Sequence, residues 1–154
     1  GIGIGSHYYS GVGYSMTVPP VSGLYEIGIV DGVLDRGVIG VGPYVGYFAY
    51  KWDYTVVDNW GYKYTNLVIG TRGNFHYPVI DKIDTYVGVF LGYNLVTAKE
   101  FGSYAGSFNY NTSSGGLVYS LAAGARYYFS ENLAAMAEAG YGLAYLTVGL
   151  TVKL

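Results

Sequence analysis

Apolar and small or polar residues alternate with a period of two through the C-terminal segment of the chain. One set of positions is apolar and uncharged: Leu146, Val148, Leu150, Val152 and Leu154. The intervening set is mostly small or polar: Tyr145, Thr147, Gly149, Thr151 and Lys153. Because successive side chains of a β-strand point to opposite faces, this pattern predicts a strand with one apolar face. The segment alone does not tell which face points inward.

Composition predicts an all-β chain with a single domain, residues 1–154. Of its 154 residues, 25 are Gly and 20 are Tyr, and only 12% are charged. A typical globular domain carries about 25% charged residues. Helix-forming residues do not recur at helical spacing, whereas Gly, Tyr, Val and Thr dominate, which favours strands. The chain is therefore poor in the charge that usually covers a soluble protein.

Alternating runs and turn signals divide the chain into eight predicted strands, each long enough to cross a bilayer when tilted. They are Gly1–Tyr9, Val21–Val30, Val38–Asp53, Tyr62–Tyr77, Thr85–Thr97, Leu117–Phe129, Leu133–Tyr141 and Tyr145–Leu154. Three connections are short and charged: Asp31–Arg36, Pro78–Asp84 and Ser130–Asn132. Those after the first, third and fifth strands are longer, notably Gly102–Gly116. Short turns at one end and long loops at the other are typical of outer-membrane barrels. The last strand is expected to pair with the first.

Glycines of the predicted strands concentrate in a single register. Thirteen of the 25 share it: Gly1, Gly3, Gly5, Gly28, Gly40, Gly42, Gly46, Gly70, Gly88, Gly92, Gly124, Gly140 and Gly149. On an exposed face glycine weakens a strand and packs nothing. The interior of an eight-stranded barrel is just wide enough for side chains to fill, so small residues are needed there beside large ones. The glycine register therefore predicts the inner face. Larger residues at positions of the same register should fill the lumen: Tyr44, Phe48, Tyr86, Phe90, Tyr128 and Met136.

The opposite register is apolar and too bulky for so narrow an interior. An exposed apolar surface of this size would make a soluble protein aggregate, so its expected solvent is lipid. The residues predicted to face lipid include Ile27, Val41, Ile69, Val89, Leu91, Leu121, Leu146, Val148, Leu150 and Val152.

Several charged residues within the predicted strands fall in the glycine register: Glu26, Arg72, Arg126, Glu138 and Lys153. Buried charges need partners. The short connection after the sixth strand would place Arg126 and Glu138 opposite or diagonal to each other. We predict a lumenal ion-pair network formed by Glu26, Arg72, Arg126 and Glu138.

These segments resemble the small eight-stranded outer-membrane β-barrels of Gram-negative bacteria, similar in plan to the OmpA transmembrane domain and OmpX and closest to barrels of the Bacteroidetes. The resemblance is carried by Tyr25–Ile29, Val38–Tyr47 and Gly124–Asn132. The tail Thr147–Leu154 resembles the C-terminal signal read by the barrel-assembly machinery, although that signal usually ends in an aromatic residue rather than Leu154. The resemblance implies an antiparallel up-and-down transmembrane barrel in the bacterial outer membrane. Its implied partners are outer-membrane lipid and the assembly machinery during biogenesis.

Patterns for catalysis are thin. The chain has no Cys, which excludes disulfides, thiolate catalysis and cysteine metal sites. Its two histidines, His7 and His76, fall in the lumenal register, which favours packed or hydrogen-bonding residues over a catalytic base. Ser10 lies close to His7 in sequence, but no acidic residue sits beside them to orient a base.

Ligand-binding patterns are equally sparse. Asp53, Asp58 and Asn59 offer oxygen ligands for a divalent cation, yet solvated loop carboxylates explain them better. A net charge of −2 with scattered Lys and Arg excludes the basic footprint of a nucleic-acid-binding protein. We therefore expect no cofactor and no metal site.

The leading expectation is an integral outer-membrane barrel without catalytic activity and with a closed polar lumen. It would act as an accessory subunit of a larger outer-membrane complex or as an adhesion-type surface protein. The main alternative is a membrane-embedded lipid-modifying enzyme with His7 or His76 as base. A soluble lipocalin-like carrier is disfavoured, because the glycines and paired charges would then face water.

Overall fold

The computed structural model describes residues 1–4, 14–53, 61–101 and 111–154. Described residues form only strands and connections, so the expected all-β class is confirmed, and no helix capable of spanning a membrane is found among them. The strands are β1 (Ile2–Ile4), β2 (Tyr14–Leu24), β3 (Ile27–Val33), β4 (Gly37–Asp53), β5 (Gly61–Ile80), β6 (Ile83–Phe101), β7 (Asn111–Tyr128), β8 (Leu133–Tyr141) and β9 (Leu146–Val152).

All nine strands belong to one antiparallel sheet whose hydrogen bonds run in a ring. From β4 to β9, each strand pairs with the next along the chain, and β9 then pairs with β1. The ring closes because β1 also pairs with β2, and β2 pairs with β4. The expected contact between the first and last strands is confirmed, with Ile2 opposite Val148.

The predicted second strand, Val21–Val30, instead falls in two strands, so the described part of the chain forms nine strands where the sequence predicted eight. β2 and β3 lie one after the other along the same edge of β4 in an unchanged register, since Leu24 pairs with Tyr44 and Ile27 with Val41. Between them, Tyr25 donates its backbone N–H to Pro43. Proline has no N–H to donate in return, and the ladder is interrupted at this point.

Among the described residues, β1 and β2 close the ring through only a short contact. Gly1 donates its amino group to the carbonyl of Ser22 and accepts a bond from the Ser22 N–H. Beyond this contact, among the described residues, β3 pairs only with β4, and the part of β9 after Gly149 pairs only with β8. β3 is accordingly exposed at nearly every position.

Several connections are shorter than the sequence predicted. The expected turn Pro78–Asp84 shrinks to Asp81 and Lys82, because β5 and β6 extend into it. Of the expected loop Gly102–Gly116, the part from Asn111 onward belongs to β7, and residues 102–110 lie outside the described residues. The predicted strand Gly1–Tyr9 is described only as far as Ile4.

Side chains separate between the two faces of the ring by sequence parity. Phe48, Val68, Asn74 and Phe90 are almost fully buried on the inner face. Of the ten residues predicted to face lipid, nine are exposed on the outside and Val41 is half-buried. The interior has an apolar cluster toward the loop end, a charged cluster in the middle and a cavity at the turn end.

Candidate functional site

The charged cluster in the middle of the ring collects side chains from five parts of the sheet. Arg72, Asn74 and His76 alternate along β5 and therefore share its inner face. Asp84 and Tyr86 come from β6, Arg126 from β7, Glu138 from β8, and Glu26 from the short break between β2 and β3. We refer to these eight residues as the inner polar cluster.

One half of the cluster is a two-bond ion pair between Arg72 and Glu138. The Nη1 and Nη2 atoms of Arg72 donate to Oε1 and Oε2 of Glu138 at 3.1 and 2.6 Å. The two side chains are only 8% and 10% exposed. The Tyr86 hydroxyl donates a further hydrogen bond of 3.0 Å to Glu138. A planar guanidinium matches a carboxylate in this arrangement, which is the strongest form of side-chain ion pair.

The other half of the cluster centres on Glu26. Its Oε2 accepts a hydrogen bond of 3.0 Å from Nη2 of Arg126, and its Oε1 contacts Nε2 of His76. The opposite ring nitrogen of His76, Nδ1, lies 2.7 Å from Oδ2 of Asp84. Only the protonated imidazole can donate from both nitrogens, so this geometry fits a cationic His76 between two carboxylates. Arg126 also lies 3.8 Å from Asp84.

Asn74 and Tyr86 join the two halves. Asn74 accepts a 2.8 Å hydrogen bond from Nε of Arg72 and donates a 2.8 Å bond to Glu26. The ring of Tyr86 lies near both guanidinium groups, with its centroid 5.9 Å from Cζ of Arg72 and 4.8 Å from Cζ of Arg126. The cluster is thus one connected network of three carboxylates, two guanidinium groups and one imidazole.

The structure places all four residues of the predicted ion-pair network on the inner face, in two separate pairs. Glu138 lies opposite Gly124 and is therefore diagonal to Arg126. The ion pairs nevertheless join Arg72 with Glu138 and Arg126 with Glu26. Both pairs link parts of the sheet that are not neighbours, so their partners meet across the interior.

Four members of the cluster are not part of the predicted network. His76 and Tyr86 are predicted to be lumenal, Asn74 shares the register of His76 on β5, and Asp84 lies at the end of the predicted turn Pro78–Asp84. Asp84 precedes Tyr86 by two residues, so its register already indicated the inner face. The shorter turn between β5 and β6 is what brings Asp84 into the sheet.

Glycines opposite the charged side chains provide the space that these side chains occupy. A Cβ atom on Gly40 would collide with the carboxylate of Glu26. A Cβ on Gly88 would touch Oδ1 of Asn74 and lie 2.7 Å from Nη2 of Arg72. A Cβ on Gly124 would lie 2.7 Å from the hydroxyl of Tyr86. The glycine register and the charged register are therefore two parts of one packing arrangement.

We expect Gly88→Ala to lower the free energy of unfolding by about 1–3 kcal/mol, because the methyl group displaces Arg72 and Asn74 from their bonded positions. Gly116→Ala is the matched control, since a Cβ there meets nothing within 4 Å. The control should be neutral or stabilising by up to about 1 kcal/mol. Urea titration of the refolded protein measures both, and equal effects would contradict the packing role assigned to Gly88.

Aromatic and aliphatic side chains close the interior on the loop side of the inner polar cluster. Phe48 and Tyr50 pack edge to face with ring centroids 5.9 Å apart, and Tyr44 lies 4.9 Å from Phe90. The buried members are Phe48, Tyr50, Val68, Phe90, Val118 and Leu143. This apolar cluster blocks the interior at that level.

The turn side of the interior is open. A cavity of about 1180 Å³ extends from the inner polar cluster to the turns that contain Lys82 and Ser130. Tyr128 and Met136 line this cavity. The interior is therefore filled on one side only, whereas the sequence predicted filling throughout.

The remaining candidate residues lie apart from the cluster. Lys153, predicted to face the lumen within the last strand, follows the end of β9 and is exposed. Its carbonyl accepts a hydrogen bond from the Asn132 side chain. Several candidates lie outside the described residues: His7, Ser10, Asp58, Asn59 and the side chain of Asp53.

Within the described ranges, no group of three or more His, Asp or Glu side chains has the arrangement needed to hold a metal ion. Comparison with protein-family models and with curated proteins gives no match. The fold and the inner polar cluster are therefore the basis for assigning a function.

Proposed function

We propose that this chain is an integral protein of the bacterial outer membrane, folded as an eight-stranded antiparallel up-and-down transmembrane β-barrel. In this interpretation β2 and β3 count as one interrupted strand, because they follow the same edge of β4 and keep the same register across the break between Leu24 and Ile27. The inner polar cluster has a structural role, and the protein acts as an accessory subunit of an envelope complex or as a surface-adhesion protein.

The observation that carries the proposal is the apolar outer face. Val87, Val89 and Leu91 of β6 are 55–59% exposed, and Leu117 of β7 is 75% exposed. Soluble monomers rarely expose contiguous apolar patches larger than about 300–600 Å². At the same time, the guanidinium and carboxylate groups of the inner polar cluster are directed inward. A protein surrounded by lipid requires this inverted distribution.

The height of the apolar surface fits a membrane. On β6 the outward apolar residues run from Leu95 to Val87 without a polar interruption. They cover about nine residues, or roughly 30 Å of extended chain, which corresponds to about 23 Å of depth at a tilt of roughly 40°. Barrels of the outer membrane carry an apolar band about 25 Å tall.

Single cysteines introduced into this cysteine-free chain test the membrane assignment. We expect a spin label at Leu91→Cys, in vesicles, to be relaxed by oxygen and shielded from a water-soluble nickel chelate. A label at Glu131→Cys, in the exposed β7–β8 turn, should show the reverse. Free access of the nickel chelate to Leu91→Cys would refute the barrel proposal and favour a soluble carrier.

A native pull-down from outer membrane separates the two suggested roles. An accessory subunit should co-purify with a larger envelope complex in mild detergent. Recovery of the chain alone, under conditions that keep other envelope complexes intact, would reject the accessory role and leave the adhesion role.

A further inference from the structure

Three lysines of neighbouring strands form a continuous row across the sheet. Lys51 of β4 lies directly opposite Lys63 of β5, and Lys63 lies directly opposite Lys99 of β6. Neither ladder contains a register shift at these positions. We call these three residues the lysine row.

The lysine row lies on the same face as the apolar outer surface, at its loop end. Lys63 shares its parity on β5 with Leu67 and Ile69, and Lys99 shares its parity on β6 with Leu95. Lys63 and Lys99 are exposed, and Lys51 is half-buried. Thr65 and Thr97, which lie opposite each other, form the single row between the lysines and the first leucines.

The three ammonium groups of the lysine row are close together. Strands lie about 4.8 Å apart, so the three side chains start within roughly 10 Å of one another. The flexible lysine stems allow all three ammonium groups to reach a single anion at this position.

We propose that the lysine row binds the phosphate groups of membrane lipids. The inference rests on the proposed membrane location, because only then does the row meet a layer of headgroups. The apolar surface would lie in the acyl chains, the threonine row at their boundary, and the lysines at the level of the phosphates. At that boundary, the hydroxyls of Thr65 and Thr97 would be available to donate further hydrogen bonds to the same groups.

The distribution of the other cations supports a local role for this row. Arg72 and Arg126 are committed to carboxylates inside the ring. The remaining three, Arg36, Lys82 and Lys153, lie in separate turns or beyond the last strand at the opposite end. They provide a control with the same number of cations and no continuous row.

The test compares the native chain with the triple variant Lys51→Gln, Lys63→Gln, Lys99→Gln in phosphatidylcholine vesicles. Brominated phosphatidate is added as a minor component, and quenching of tryptophan fluorescence gives its binding relative to brominated phosphatidylcholine. We expect the native chain to prefer phosphatidate, and the triple variant to lose roughly a hundredfold in relative binding, at about fivefold per lysine. The control Arg36→Gln, Lys82→Gln, Lys153→Gln should keep the preference.

Each outcome decides between named alternatives. An equal loss in both triple variants would overturn the proposal in favour of a diffuse effect of net charge. No preference in the native chain would overturn it while leaving the membrane location intact, provided that insertion into pure phosphatidylcholine vesicles is normal. Failure to insert would remove both proposals. Competition by inorganic phosphate as effectively as by phosphatidate would show that the row binds free anions rather than lipid.

Discussion

Replacing Arg72 with methionine should lower the free energy of unfolding by about 3–5 kcal/mol, the usual cost of removing one partner from a buried ion pair. Both hydrogen bonds from the guanidinium to Glu138 would be lost, together with the bond to Asn74. The carboxylate of Glu138 would remain buried, with the Tyr86 hydroxyl as its remaining hydrogen-bond donor. Urea titration of the protein refolded in vesicles, followed by tryptophan fluorescence, measures the change.

Two further variants separate the ion pair from a general effect of mutation. Lys82→Met removes an exposed cation in the β5–β6 turn and should change stability by less than about 0.5 kcal/mol. The double variant Arg72→Met, Glu138→Leu should recover most of the loss, because no unpaired charge is left inside. A loss of less than about 1 kcal/mol in Arg72→Met would contradict the role assigned to this pair.

Leu91→Arg should destabilise the protein by about 2–4 kcal/mol in vesicles, because a cation on the lipid-facing side at the middle of the bilayer is costly. Leu91 lies near the centre of the outward apolar run of β6 and is 56% exposed. On a water-facing surface, the same substitution would change stability by less than about 0.5 kcal/mol. The measurement therefore distinguishes lipid from water around the outer face.

Ser113→Arg provides the depth control for Leu91→Arg. Ser113 is exposed on β7 and lies opposite Thr97, close to the lysine row. At this level an added cation should cost no more than about 1 kcal/mol. Equal costs at the two positions would contradict a bilayer centred on Leu91 and would require a different placement of the membrane.

The inner polar cluster and the glycine register together suggest why this chain keeps so many charges inside. Gly40, Gly88 and Gly124 leave room for Glu26, Arg72 and Tyr86, respectively. Glu26 then accepts a bond from Arg126, and Arg72 and Tyr86 both donate to Glu138. Replacing the glycines with larger residues would force the ions apart. Replacing the ions with smaller residues would leave space unfilled.

Much of the sheet could be predicted from alternation alone. The parity of Gly40, Arg72 and Glu138 indicated the inner face, and the structure places all three there. The interruption at Tyr25 was not predicted. Pro43, within the third predicted strand, has no N–H to donate to a neighbouring strand. The sequence alone does not show that Tyr25 is the residue opposite it. Asp84 was assigned to a turn because local residue preferences do not determine how far two strands continue before they reverse.

The alignment of the lysine row on the outer face could not be predicted from the sequence either. Lys51 and Lys63 lay within predicted strands and in the outward register, but a single strand shows only an isolated lysine. Their alignment with Lys99 depends on how three strands are positioned against one another. Register between strands is a long-range property that alternation within one strand does not define.

The sequence by itself therefore determined the all-β class and the side of β4 to β9 that faces inward, because a period of two is a local property of extended backbone. The tertiary structure decided which charges meet. Arg72 binds Glu138 and Arg126 binds Glu26 across the interior, between parts of the sheet that are not neighbours. Such pairs depend on the closure of the ring and on the cross-section it encloses, which no segment of the chain encodes alone.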